Sequence, residues 1–146
     1  MPIRVQMVRP AAEFRDAMRR RERKAYDQWK ADFERRGCAA MGYRMEGVDL
    51  DRLCVRHLTD NLRVVVAFLS REEALIIALG PHDETDRRMN IYSFVYQAAE
   101  CDVPTGKRTK PSCCDTDGFP PVDAELAERL ADNIRAMEKA MRRRRS

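Results

Sequence analysis

Leu53-Cys54-Val55-Arg56-His57-Leu58, Leu62-Arg63-Val64-Val65-Val66-Ala67-Phe68-Leu69 and Ala74-Leu75-Ile76-Ile77-Ala78-Leu79 follow one another with only Thr59-Asp60-Asn61 and Ser70-Arg71-Glu72-Glu73 between them. This stretch has the densest β-branched content in the chain and reads as three strands joined by tight turns. Connections this short permit only antiparallel neighbours, because a parallel crossover needs about a dozen residues or more. The run from Val64 to Leu69 is apolar at every position, the pattern of a central strand covered on both faces. The polar exceptions are Arg56, His57 and Arg63 within the meander and His82 just past its end. His57 and His82 are the only two histidines in the chain. A greasy sheet that carries them beside arginines is where chemistry is expected.

Upstream, Ile3-Arg4-Val5-Gln6-Met7 alternates apolar and polar residues, which predicts a half-buried strand. Pro10 ends it and suits the first turn of a helix. From Ala11 to about Arg36 the pattern fits a long helix or a helical hairpin. Phe14, Met18, Ala25, Trp29 and Phe33 form one apolar stripe flanked by Tyr26, with Gly37 as the stop. Cys38 to Gly47 is bounded by glycines and fits a helix end running into a short strand.

Downstream, Gly80 to Asp86 is a polar turn, and Ile91 to about Glu100 predicts a short helix. Residues 102–122 carry Pro104, Pro111, Pro120 and Pro121 and few large apolar side chains, which marks a loop or linker. Asp123 is placed to cap a last helix whose Leu126, Leu130, Ile134, Met137 and Met141 make a heptad-like stripe. The stripe requires a cover, from the parent domain, a second copy of the chain or another protein. The expected organisation is a domain over residues 1–100, a proline-rich linker or loop over 101–122, and an amphipathic helix with an arginine tail over 123–146.

The chain has 146 residues, 36% charged, with a net charge of +4, so one domain with an appendage is expected. Basic runs at Arg19 to Lys24, Lys107 to Lys110 and Arg142 to Arg145 suit a polyanionic partner through steering and counterion release. The plainer account of each run is a solvated helix face or a basic tail. Five cysteines, no secretory apolar segment and no apolar run of about 20 residues predict a cytoplasmic protein with reduced thiols.

Structural zinc sites use cysteine pairs two to four residues apart, and none occurs here. A site from Cys101, Cys113 or Cys114 and His82 is conceivable in geometry, but inert or locally tethering thiols fit the spacing better. Asp49 and Asp51, or Asp83, Glu84 and Asp86, are spaced like loop acids. No phosphate-binding glycine loop, HExxH helix or nucleophile elbow is present. No metal and no cofactor is therefore expected.

What remains is basic and aromatic: Arg44, Arg56, His57, Arg63, His82, Arg87, Arg88, Tyr92 and Tyr96. Metal-free phosphodiester cleavage needs such a set, with a base for the 2′-hydroxyl, cations for the phosphorane and an acid for the leaving 5′-oxygen. A strand histidine bonded to backbone and a turn histidine would also explain His57 and His82.

Gly42-Tyr43-Arg44-Met45-Glu46-Gly47, Cys54 to Leu58, Leu62 to Phe68, Ala78 to Asp83 and Ile91-Tyr92 together resemble the RelE/ParE-like toxins of type II toxin–antitoxin systems. The likeness covers roughly residues 1–100. It implies an α+β fold, a small antiparallel sheet packed against N-terminal helices, here with an extra C-terminal helix. It also implies an mRNA endoribonuclease acting free or on the ribosome, or a gyrase inhibitor in the ParE branch, held in check by a cognate antitoxin. By position, Arg63 and His82 and, loosely, Tyr92 match residues of those toxins; with His57 they are the expected catalytic residues, and Arg44, Arg56, Arg87 and Arg88 from the basic set the expected substrate-binding ones. The lysines that RelE itself uses before the meander are missing, which leaves a catalytically inactive binding module for nucleic acid or a protein as the alternative. A homodimer through the C-terminal helix is the further partner expected.

Overall fold

The computed structural model describes residues 2–45, 50–82, 90–101 and 110–145. Strand β1 (Arg4–Met7) leads into helices α1 (Arg9–Asp16) and α2 (Arg20–Arg36), a 3-10 turn at Gly37–Ala40 and the short strand β2 (Tyr43–Arg44). The meander follows as β3 (Leu53–His57), β4 (Leu62–Ser70) and β5 (Glu73–Pro81), then helices α3 (Ile91–Ala98) and α4 (Ala124–Arg145). The fold class is α+β.

The five strands form one sheet in the order β1-β5-β4-β3-β2. β2 through β5 are antiparallel as expected, but β1 pairs parallel with β5, so the sheet is mixed rather than purely antiparallel. The long passage through the helices gives the chain the length that a parallel return requires. β4 lies at the centre, and Leu62 to Phe68 are all buried.

The helical region is two helices, with a break over residues 17–19. That break resets the phase of the apolar stripe, so the buried face of α2 is Tyr26, Trp29 and Phe33, with Ala25 less buried than Tyr26. Trp29 stacks on Phe33 at 5.0 Å, and Phe33 meets Phe68 of β4 at 5.8 Å, which seats α2 on the sheet. Gly37 stops α2 with φ +63, and a Cβ there would stand 2.6 Å from Ile3 Cδ1. Only glycine meets both conditions.

α4 is capped as expected, with Leu126 N–H donating to Asp123 Oδ1 at 3.0 Å. Its cover is the parent domain. Leu126, Ala127, Leu130 and Ile134 are buried in the same core cluster as the sheet, Met137 packs against it and Met141 is exposed. Asn133 also donates to Ala98 O at the end of α3. Of the three covers the stripe could have, the chain's own core is the one that buries Leu126, Ala127, Leu130 and Ile134. No helix among the described residues is long and apolar enough to cross a membrane.

The cysteines differ most from expectation. Cys38 is bonded to Cys114 and Cys54 to Cys113, and Cys101 lies outside both disulfides. The reduced thiols expected from an odd cysteine count and the lack of a secretory segment are thus replaced by two disulfides. Here the adjacent pair lies between β3 and the 3-10 turn and bonds to one on each side. The conceivable metal site is excluded with them, since a disulfide sulfur offers no thiolate to a metal.

Candidate active site

Alternation along each strand and the register between strands decide which side chains share a face. His57 pairs with Arg63, Arg63 with Gly80, and Tyr43 with Val55, two residues before His57. Tyr43, His57, Arg63 and Gly80 therefore rise from the same side of the sheet. Among the described residues nothing lies within 4 Å of where a Cβ at Gly80 would stand. His82 is two residues further on, fixed by its N–H donating to Asn61 O at 2.7 Å.

α3 closes the group. Asn90 caps it, its Oδ1 accepting from Tyr92 N–H at 2.9 Å and lying 3.3 Å from His82 Nδ1. The Tyr92 ring stands edge-on to His82 at 4.9 Å. The Tyr43 hydroxyl lies 2.9 Å from the Tyr92 hydroxyl and 2.8 Å from His57 Nε2. His57 and Tyr92 are thus joined through Tyr43, His82 stands against Tyr92, and Arg63 is the register partner of His57.

Tyr92 is held well above the ordinary phenol range, mainly by burial and then by its bond to Tyr43, with Arg63 opposing. His57 is lowered from its ordinary value by partial burial of the ring, although the residue as a whole remains exposed. The positive charges of Arg63, Lys110, His82 and Arg56 lower it further. The Tyr43 hydroxyl, able both to donate and to accept, thus bridges a phenol that holds its proton and an imidazole that favours its neutral form.

Arg63 is the buried charged residue of the described core, 8% exposed. Its Nη1 donates to Thr59 O at 2.8 Å and Leu62 O at 3.2 Å, while its Nε has no partner among the described residues. No carboxylate is salt-bridged to it among those residues either. A desolvated guanidinium without a counter-charge is costly and favours an anion beside it.

The remaining expected residues fall elsewhere. Arg44 pairs in register with Cys54, on the opposite side from Tyr43, and its Nε donates to Ser112 O and Cys113 O at 3.1 and 3.2 Å. It clamps backbone rather than facing the cluster. Arg56 is exposed and lines, with Trp29, Arg35 and His57, a hollow of about 480 Å³ between α2 and the end of β3. Arg87 and Arg88, with the loop acids Asp83, Glu84 and Asp86, lie outside the described residues.

Three members were not expected: Tyr43, Asn90 and Lys110. Lys110 sits 5.0 Å from the Tyr43 ring centroid. Tyr43 lies on a strand of two residues, too short to show any period, and the long intervening chain hides the approach of Lys110. The chain matches no protein-family model and no curated protein.

Proposed function

We propose that the protein is a metal-independent endoribonuclease of the RelE-like type, acting on mRNA in the cytoplasm and held in check by a cognate antitoxin. The observation that carries this reading is the buried guanidinium of Arg63, with no carboxylate partner among the described residues, beside a hydrogen-bonded His57–Tyr43–Tyr92 chain and His82. It supplies what in-line phosphodiester cleavage demands, a cation for charge on phosphorus with proton acceptors and donors around it. The element order, a first strand, two helices, a meander and a short helix, agrees with the resemblance.

The substrate 2′-hydroxyl gives its proton to the Tyr43 oxygen as Tyr43 passes its own to His57 Nε2. The O2′–P bond forms while the P–O5′ bond breaks. Arg63 stabilises the equatorial oxygens, and His82 protonates the leaving 5′-oxygen. The products are a 2′,3′-cyclic phosphate and a 5′-hydroxyl end. Lys110 and the exposed Arg56 favour approach of the phosphate chain.

The test is expression of the wild type and an Arg63→Ala/His82→Ala double variant, reading growth and RNA ends. Growth arrest with cyclic-phosphate ends is expected from the wild type alone, and chelator should not change it. Intact RNA with equal growth would sink the enzymatic reading in favour of a binding module. DNA breaks with intact RNA would point to a ParE-like gyrase inhibitor.

A further inference from the structure

Lys110 reaches Tyr43 on a segment with little to hold it. Lys110, Pro111 and Ser112 are exposed, and Ser112 forms an isolated bridge with Tyr43. Arg44 N–H donates to Pro111 O at 2.8 Å, and Arg44 Nε to the carbonyls of Ser112 and Cys113. A few such bonds contribute roughly 1 kcal/mol each. The firm attachments are the two disulfides, Cys113 to Cys54 on β3 and Cys114 to Cys38 in the 3-10 turn. Cys113 and Cys114 sit on a bend, and their two bonds run to different anchors, β3 and the 3-10 turn.

The strap lies against the candidate site itself. Cys54 is three residues before His57 on the same strand, and Tyr43, which holds His57, is the residue that Ser112 bridges. We propose that residues Lys110–Cys114 are a redox-operated strap: with both disulfides formed, Lys110 is held at Tyr43 and the site is competent, and reduction by a dithiol releases the strap and disables it. The inference rests on the ribonuclease reading for its consequence, not for its geometry.

The exchange balances. A dithiol thiolate attacks Cys114, the less buried sulfur, and Cys38 leaves as thiolate. The reductant's second thiol resolves the mixed disulfide, so two electrons and two protons pass to the protein and the reductant leaves oxidised. Loosening at Cys114 then uncovers the fully buried Cys113, where a second dithiol repeats the step. In a reducing cytoplasm disulfides are rare, and those present are usually transient, catalytic or redox-sensing.

His57 reports the strap directly. The groups acting on it are Arg63, Lys110, His82 and Arg56, together with the Tyr43 hydroxyl, and Lys110 is the one the strap carries. The experiment follows the His57 ring proton by NMR through a pH titration, with and without dithiothreitol, in the wild type and in Lys110→Ala. Reduction should move the wild-type His57 pKa upward. Oxidised Lys110→Ala should already be displaced upward, and reduction should add nothing to it. No shift in the wild type, or an equal shift in both proteins, would overturn the strap. Where full reduction unfolds the chain, Cys54→Ser/Cys113→Ser, which keeps Cys38–Cys114, gives the same comparison. RNA cleavage by the wild type should fall at least about tenfold on reduction and return on reoxidation, less than the 10²–10³ of a fully positioned donor. If neither form cleaves RNA, the ribonuclease reading fails while the His57 titration still decides the strap.

Discussion

The hydroxyl of Tyr43 stands 2.8 Å from Nε2 of His57, joining the two-residue edge strand β2 to the last residue of β3. Register alone does not make this contact, because Tyr43 pairs with Val55. The long phenol reaches along the strand to the next residue on the same face. The same oxygen meets Tyr92 from α3, so one hydroxyl connects the sheet edge to the helix.

Tyr43→Phe keeps the ring and removes that oxygen. RNA cleavage should fall by about 10²-fold, the lower end of what a positioned proton-transfer group supplies. The thermal midpoint should move little, because Tyr43 is only half-buried. Tyr92 should titrate lower in the variant, since the bond to Tyr43 helps raise it. Absorbance titration of tyrosinate alongside cleavage assays reads both effects. Full cleavage by Tyr43→Phe would remove the relay.

The depressed pKa of His57 fixes a sign for pH dependence. Its folded value lies below the unfolded value of about 6.5. The neutral ring is therefore favoured in the native state, and its stability contribution is present above about pH 6.5. That contribution is lost as pH falls through the folded pKa, where the unfolded chain binds the extra proton first. The acid limb of kcat/KM should likewise fall below about pH 6.5. Melting curves of wild type and His57→Gln across this range should differ in slope, with the variant flatter. Parallel slopes would mean that His57 titrates alike in both states.

Arg63 should separate stability from activity. Arg63→Met fills similar volume without a buried charge, and such replacements are often neutral or stabilising. Against this, Thr59 O loses its donor, at a cost of about 1–3 kcal/mol. Leu62 O is less affected, because Leu58 N–H also donates to it at 2.9 Å. The two effects oppose, so denaturant midpoints should shift only slightly. Cleavage should nevertheless fall by about 10²–10³-fold, as when one transition-state donor is removed. A variant that unfolds while wild-type Arg63 proves dispensable for cleavage would make the arginine structural.

The meander was legible because β-branched density and short turns leave few alternatives. The strands expected to begin at Leu53, Leu62 and Ala74 begin at Leu53, Leu62 and Glu73. The same-face grouping of His57, Arg63 and His82 follows from that register. Three things could not be read from a local pattern. β1 joins β5 in parallel, a choice made by packing of the intervening helices. Cys114 and Cys113 bond to Cys38 and Cys54 over separations of 76 and 59 residues respectively, which spacing rules do not reach. The stripe of α4 announced a buried face but not what buries it.

That stripe supports the last prediction, which concerns where the chain can be cut. Leu130 is fully buried and Ile134 nearly so, against the sheet that carries the site. Leu130→Ala should cost about 2–5 kcal/mol, the usual range for a large aliphatic side chain cut to alanine in a core. Truncation after Val122 removes Leu126, Ala127, Leu130 and Ile134 together and should leave no folded domain. Truncation after Lys139 keeps all four and removes exposed Met141 and the arginine tail, so the melting temperature should hold. The lost arginines should weaken RNA binding at low salt and flatten its salt dependence, because fewer counterions are released. Circular dichroism melts and binding isotherms at two salt concentrations distinguish these outcomes. A folded chain ending at Val122 would show that the sheet needs no cover from α4.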